Sequence, residues 1–78
     1  MTILSDAEAL FVSDLQPSDR PSADQVDHAI RASIAAHTGL CGCVGDFAAA
    51  YGEHPDIAAE RMRWALEIVS TRRLSVAA

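Results

Sequence analysis

Lysine is absent from this chain: all six basic side chains are Arg, set against eleven acids. The net charge of −5 and the pI near 4.8 put like-charge repulsion into every non-specific contact with a phosphate backbone or an anionic membrane surface, so neither is an expected partner. Cysteines are scarce as well. The two present, Cys41 and Cys43, are separated by one Gly; they cannot staple distant parts of a fold and read as reduced thiols. No apolar run approaches the roughly 20 residues that a membrane helix needs. Asp6, Glu8 and Asp14 fall where a signal peptide would carry a basic start and an unbroken apolar stretch, so the expected location is cytoplasmic. Large anchors are few, with four aromatic side chains in all.

What the chain has instead is Ala, fifteen of its 78 residues. A chain of this length makes one domain and buries roughly 60% of its unfolded surface, enough for one modest core and too little for a deep catalytic cleft. The expectation is a single helical domain over 1–78, ordered over about 5–70, with small side chains that let helices approach closely. Arg without Lys, together with the Ala excess, reads as the codon bias of a high-GC genome and hints at a bacterial origin.

In chain order, Ser5-Asp6-Ala7-Glu8 has the spacing of a capping box and predicts a helix start, with Ala7, Leu10, Phe11 and Leu15 on one stripe and Asp6, Glu8, Ser13 and Asp14 toward water. Pro17 would end it, and Gln16–Pro21 reads as a turn. Ser22-Ala23-Asp24-Gln25 repeats the capping pattern and predicts a second helix from about Ala23 to Thr38. Its inward face carries Val26, Ala29, Ile30, Ser33, Ile34 and His37, and Asp27 with Arg31 is spaced for a solvent-side pair. Gly39 fits a left-handed stop. Leu40–Gly45 looks too glycine-rich to be regular and is read as a bend into a short third helix bearing Val44, Phe47, Ala48 and Tyr51, stopped at Gly52. Pro55 suits the first position of a fourth helix. Along it Ala58, Met62, Ala65, Leu66 and Val69 mark one stripe, while Ile57, Arg61, Trp64 and Ile68 mark another. Apolar over so wide an arc, this helix should sit at the centre of the bundle or lend a stripe to a partner. Arg72 and Arg73 suit a last turn, and Leu74–Ala78 should fray. The fold class that follows is all-α: a compact orthogonal bundle of four helices, two long and two short, with a helix-turn-helix-like second half. Leu10, Phe11, Ile30, Ile34, Phe47, Met62 and Leu66 are its expected core.

Three functional constellations deserve weighing. The ridge Ile57, Trp64 and Ile68, with Tyr51 nearby and Arg61 beside it, combines Trp and Arg as interface centres do, and points to a non-catalytic interaction module that binds another protein or a second copy. The stretch Phe47–Asp56, with Ala48, Gly52 and Ala58 at offsets of four and ten, resembles the helix-turn-helix unit of bacterial winged-helix and resolvase-type regulators. That resemblance implies a DNA-associated alternative with Arg61, Arg63, Arg72 and Arg73 as contacts. It departs from the pattern at Glu53, which stands where an apolar residue is usual, and in offering Asp56 and Glu60 where donors are wanted. Third, His37, Cys41, Cys43 and His54 have zinc-ligand chemistry, although one residue between the cysteines is short of the usual two to four.

Catalysis finds no motif: no nucleophile elbow, no Gly-rich phosphate loop, and acids scattered as helix solvation scatters them. No catalytic residue and no cofactor is expected. Over Leu15–Val69, the segments Leu15–Pro21, Tyr51–Pro55 and Arg61–Leu66 are similar to those of small all-helical actinobacterial proteins. This resemblance implies fold and origin only.

Overall fold

The computed structural model describes residues 3–77, with side chains for 3–72. Four α-helices and one 3-10 turn follow one another: α1 (Ile3–Phe11), η1 (Pro17–Asp19), α2 (Ala23–Ala36), α3 (Leu40–Glu53) and α4 (Pro55–Ala77). The all-α four-helix class is as the sequence predicts. The proportions differ, since α3 is as long as α2 at 14 residues and α1 is the single short helix at 9.

The larger correction concerns which helix is central. α1 packs against α2, α3 and α4, whereas α4 lies mainly against α1 and α3. The physical reason is visible in its side chains: Ala7, Ala9, Leu10 and Phe11 are all buried, which covers more of the helix circumference than one stripe. A helix apolar nearly all round must be surrounded. Asp6 is not on the water side either, being 4% exposed.

Local signals explain the ends. α1 begins at Ile3, two residues before the Ser5 box, and stops at Phe11 because the chain turns there: the Ser13 amide and hydroxyl both donate to the Leu10 carbonyl, at 3.1 and 2.6 Å. Such side-chain bonds to the backbone compete with helix continuation. At α2 the capping box is formed as read, with the Gln25 amide donating to Ser22 Oγ at 3.2 Å and the Ser22 amide to Gln25 Oε1 at 2.8 Å. Its C-terminal end differs by one position. Thr38 takes the left-handed conformation (φ 62°), and Gly39, at φ 100°, becomes the cap of the next helix while its amide reaches back to Ile34 O at 2.7 Å. That is a Schellman closure with a β-branched residue at the strained position.

Leu40–Gly45 is helical, contrary to the expected bend. Gly42 is there for clearance rather than for a turn: a Cβ on it would collide with the His37 carbonyl oxygen, so α3 can start this close to the end of α2 only without a side chain at that position. Further along, Phe47 and Tyr51 anchor the helix in an aromatic cluster with Phe11. Phe47 meets both partners edge-on at 4.9 Å between ring centroids, the geometry that ring quadrupoles favour. Gly52 lies inside α3, and the connection to α4 is His54 alone, followed by Pro55 in the first helical position. Ala58, Met62, Ala65 and Val69 form the buried stripe of α4, and Cys43, Val26 and Ile30 complete the core from α3 and α2. Ile34, Phe47 and Leu66, expected inside, pack against it half-buried. The backbone of α4 is helical through Ala77; the side chains of the expected frayed end lie outside the described residues. Among the described residues no helix is long and apolar enough to cross a membrane.

Candidate interaction surface

Arg61 decides what the outer side of α4 can offer. Its Nε donates to the Phe11 carbonyl at 2.7 Å, and its second nitrogen, NH2, donates to the carbonyls of Ser13 (3.0 Å) and Leu15 (2.8 Å). These are acceptors that α1 and the turn after it leave without helical partners. The planar fork suits the task, since its donors diverge in fixed directions. The guanidinium carbon also lies 5.7 Å from the centroid of the Phe11 ring and 5.1 Å from that of Trp64. Burial pulls the Arg61 pKa below its usual value, yet an arginine remains protonated at neutral pH. Arg61 is therefore a side-chain cap for α1, and its fork is turned inward rather than toward a partner.

The apolar ridge beside it is graded. Tyr51, Trp64 and Ile68 are half-buried and pack on the core, while Ile57, one turn into α4, is 66% exposed. Glu60, Arg63 and Glu67 are exposed on the same helix. Trp64 thus presents one face to the Arg61 guanidinium and keeps part of its surface in water, and Ile57 extends the apolar line outward.

The arginines offered as nucleic-acid contacts are not brought together as a free patch. Arg72 donates to Asp6 Oδ2 at 2.8 Å and also binds the Asp27 carboxylate. Asp27 therefore pairs across to α4 and not with Arg31 on its own helix. Because α4 runs on to Ala77, Arg72 is not in its last turn, and it joins α1, α2 and α4 at one end of the bundle. Arg63 is exposed; the side chain of Arg73 lies outside the described residues. Ala48, which a groove-reading pair of helices would place at their close approach, is exposed.

The zinc-type set is not assembled either. His37 Nδ1 is bound to the Asp46 carboxylate. Cys43 is fully buried with its thiol toward the Ser33 carbonyl at 3.7 Å, whereas Cys41, two residues away on the helix, is exposed. Residues two apart on a helix face different ways. His54 is exposed between α3 and α4, and no three His, Cys, Asp or Glu side chains among the described residues come together around a metal position. Burial pushes the Cys43 thiol pKa up, a side-chain hydrogen bond toward Ser33 opposing the shift only in part.

Sequence reasoning missed Arg61 and Arg72 as structural groups, because the groups they bind lie 50 and 66 positions away in the chain and no local spacing marks them. Comparison with known proteins adds no relative, since no family model, no curated protein and no solved structure matches the chain.

Proposed function

We propose that the chain is a non-catalytic helical interaction module whose docking surface is the outer side of α4, and that its partner there is a second copy of itself. The observation that carries this reading is the line Ile57–Trp64–Ile68, which ends on an isoleucine left 66% exposed two turns from a half-buried tryptophan. Large apolar groups in that arrangement are what interface centres use. A second copy offers the same apolar line, so an isologous contact lays ridge against ridge across a two-fold axis, with the exposed Glu60, Arg63 and Glu67 at its solvated rim. A basic partner protein would instead be drawn to the acidic remainder of the surface.

Light scattering at two concentrations tests it. The expected result is a mass that rises toward twice 8.3 kDa on concentration, a blue shift of Trp64 emission accompanying it, and loss of both in the Ile57→Asp variant. That position is exposed, so the substitution leaves the monomer folded. A mass that stays monomeric up to millimolar protein, with tryptophan emission unchanged on dilution, would overturn the reading. The DNA-associated alternative draws no support from a site in which Arg61 caps a helix and Arg72 is held by two carboxylates.

A further inference from the structure

The ridge on α4 is tied to a turn of the chain that lies outside it. Past the end of α1 the backbone curls so that three alternate carbonyls, those of Phe11, Ser13 and Leu15, converge on the one guanidinium of Arg61. Nε serves the first and NH2 the other two, which leaves a planar fork little freedom to turn. The carbon of that same guanidinium stands 5.1 Å from the centroid of Trp64, within cation–π range. The turn is shaped by one hydroxyl: Ser13 Oγ donates to the Leu10 carbonyl at 2.6 Å and accepts from the Leu15 amide at 3.3 Å. Leu15 packs on the core, while Asp14 and Gln16–Arg20 are exposed. The Ser13 hydroxyl, the Leu15 side chain and the Arg61 fork thus make the seat of this turn. One planar group serves both the turn and the indole. If the carbonyls shift, the fork either follows them away from the ring or gives them up.

We propose that Arg61 couples the two: it is a positioning residue that holds the Trp64 ring for docking, and the seating of the turn at Ser13–Leu15 controls how ready the ridge is to bind. The proposal rests on the self-docking reading of the ridge given above. Its physical content is pre-organisation. A tryptophan fixed before association loses no rotamer freedom during it, which is worth about two- to tenfold in affinity. With the turn unseated the ring is free, and that gain is lost. The end of α1, 50 positions earlier in the chain, thereby acts on a surface of α4.

Trp64 is the sole tryptophan, so labelling the full chain with fluorotryptophan gives one fluorine signal from the ridge. The parent, Ser13→Gly, Arg61→Met and the double variant are compared at a temperature where far-UV circular dichroism shows each of them folded. Ser13→Gly removes both hydroxyl bonds of the turn; Arg61→Met keeps a stem beside the indole and cuts the link. In dilute, monomeric protein Ser13→Gly should shift the fluorine line and raise acrylamide quenching of Trp64 when Arg61 is present. It should do neither in the Arg61→Met background, the non-additivity that marks a coupled pair. Arg61→Lys, a cation without the fork, should not restore the response. In concentrated protein, Ser13→Gly and Arg61→Met should each weaken self-association about two- to tenfold, and the double variant no further than Arg61→Met alone. Ile30→Val, a core truncation on α2 that lowers stability, should leave both readouts at their parent values; were Arg61 to act through stability alone, this variant would move them too. The two proposals fail separately: a parent chain that stays monomeric at every concentration sinks self-docking, and the fluorine cycle still decides the coupling. Equal fluorine shifts from Ser13→Gly with and without Arg61, no shift in either background, or a dimer whose affinity is indifferent to Arg61→Met would each overturn it.

Discussion

Replacing Arg61 by Met keeps an unbranched stem over Phe11 and Trp64 and removes only the donors, so its effect reads the cap itself. Three donated hydrogen bonds are lost, to the carbonyls of Phe11, Ser13 and Leu15. A hydrogen bond to a charged donor is worth about 1.5–3 kcal/mol when both ends are desolvated. Here the guanidinium is half-exposed, and water can reach the released carbonyls, which lowers each contribution to about 0.5–1 kcal/mol. The sum is about 2 kcal/mol, a large share of the roughly 4–12 kcal/mol that a domain of this length holds. At about 4–8 °C per kcal/mol for a chain this size, Tm should fall by roughly 8–16 °C. Arg61→Lys separates geometry from charge: an ammonium on a flexible stem satisfies one of three diverging acceptors, so it should restore less than half of the loss. Urea denaturation followed by far-UV circular dichroism and by Trp64 emission measures both variants. A stability within about 0.5 kcal/mol of the parent for Arg61→Met, the range of ordinary surface changes, or full rescue by Arg61→Lys, would refute the assignment of Arg61 as the cap of α1.

Two glycines of α3 should respond with opposite signs. Gly42→Ala meets the His37 carbonyl and should destabilise by about 2 kcal/mol or more, whereas Gly45→Ala enters open space within the helix and should stabilise by about 0.5–1 kcal/mol; paired thermal melts decide. Thr38→Gly relieves a β-branched residue at φ 62° and should gain about 0.5–1 kcal/mol after the entropy of glycine is set against the strain, a gain that chemical denaturation would miss only if Thr38 were unstrained. The two thiols should differ sharply. Cys41 is exposed, while Cys43 is buried with its pKa raised, so it stays a neutral thiol through mildly alkaline pH. Ellman's reagent should titrate one group per native chain and two in urea, and two native equivalents would contradict the packing of α3.

Much of the fold was legible because its signals are local. Ser22 with Gln25, and Pro55 at the head of α4, act on backbone groups within a few residues, so spacing alone locates them. The stripe Ala58–Met62–Ala65–Val69 is visible for the same reason. The bend wrongly assigned to Leu40–Gly45 shows the limit: a Gly that breaks a helix and a Gly that lets two backbones touch look alike in sequence, and only the position of His37 distinguishes them. α1 was misjudged because Ser5-x-x-Glu8 offered a plausible start, although the near-continuous Ala7, Ala9, Leu10 and Phe11 could have marked a helix buried on most sides. On the candidate surface, Ile57 and Trp64 were readable from their seven-residue step. The role of Arg61 was not, since its acceptors lie up to 50 positions away, and the same holds for Arg72, 66 positions from Asp6.

Those two arginines together set an order of events during synthesis. α1 has 9 residues, too few to hold a helix in water unaided, yet it is the piece around which the others pack. Its C-terminal end is held by Arg61 and its N-terminal end by Arg72, both on α4. α1 therefore waits for α4, which is made after it. Bringing Phe11 to Arg61 across 50 positions costs about 3.5 kcal/mol of loop entropy, less once the contacts of α1 with α2 and α3 have shortened the loop. Until α4 has left the ribosome through Arg72, the apolar side chains of Leu10, Phe11, Val26 and Ile30 have no complete core to enter. A nascent chain in that state is a natural substrate for chaperones and proteases, and folding then comes as one late, all-or-none step.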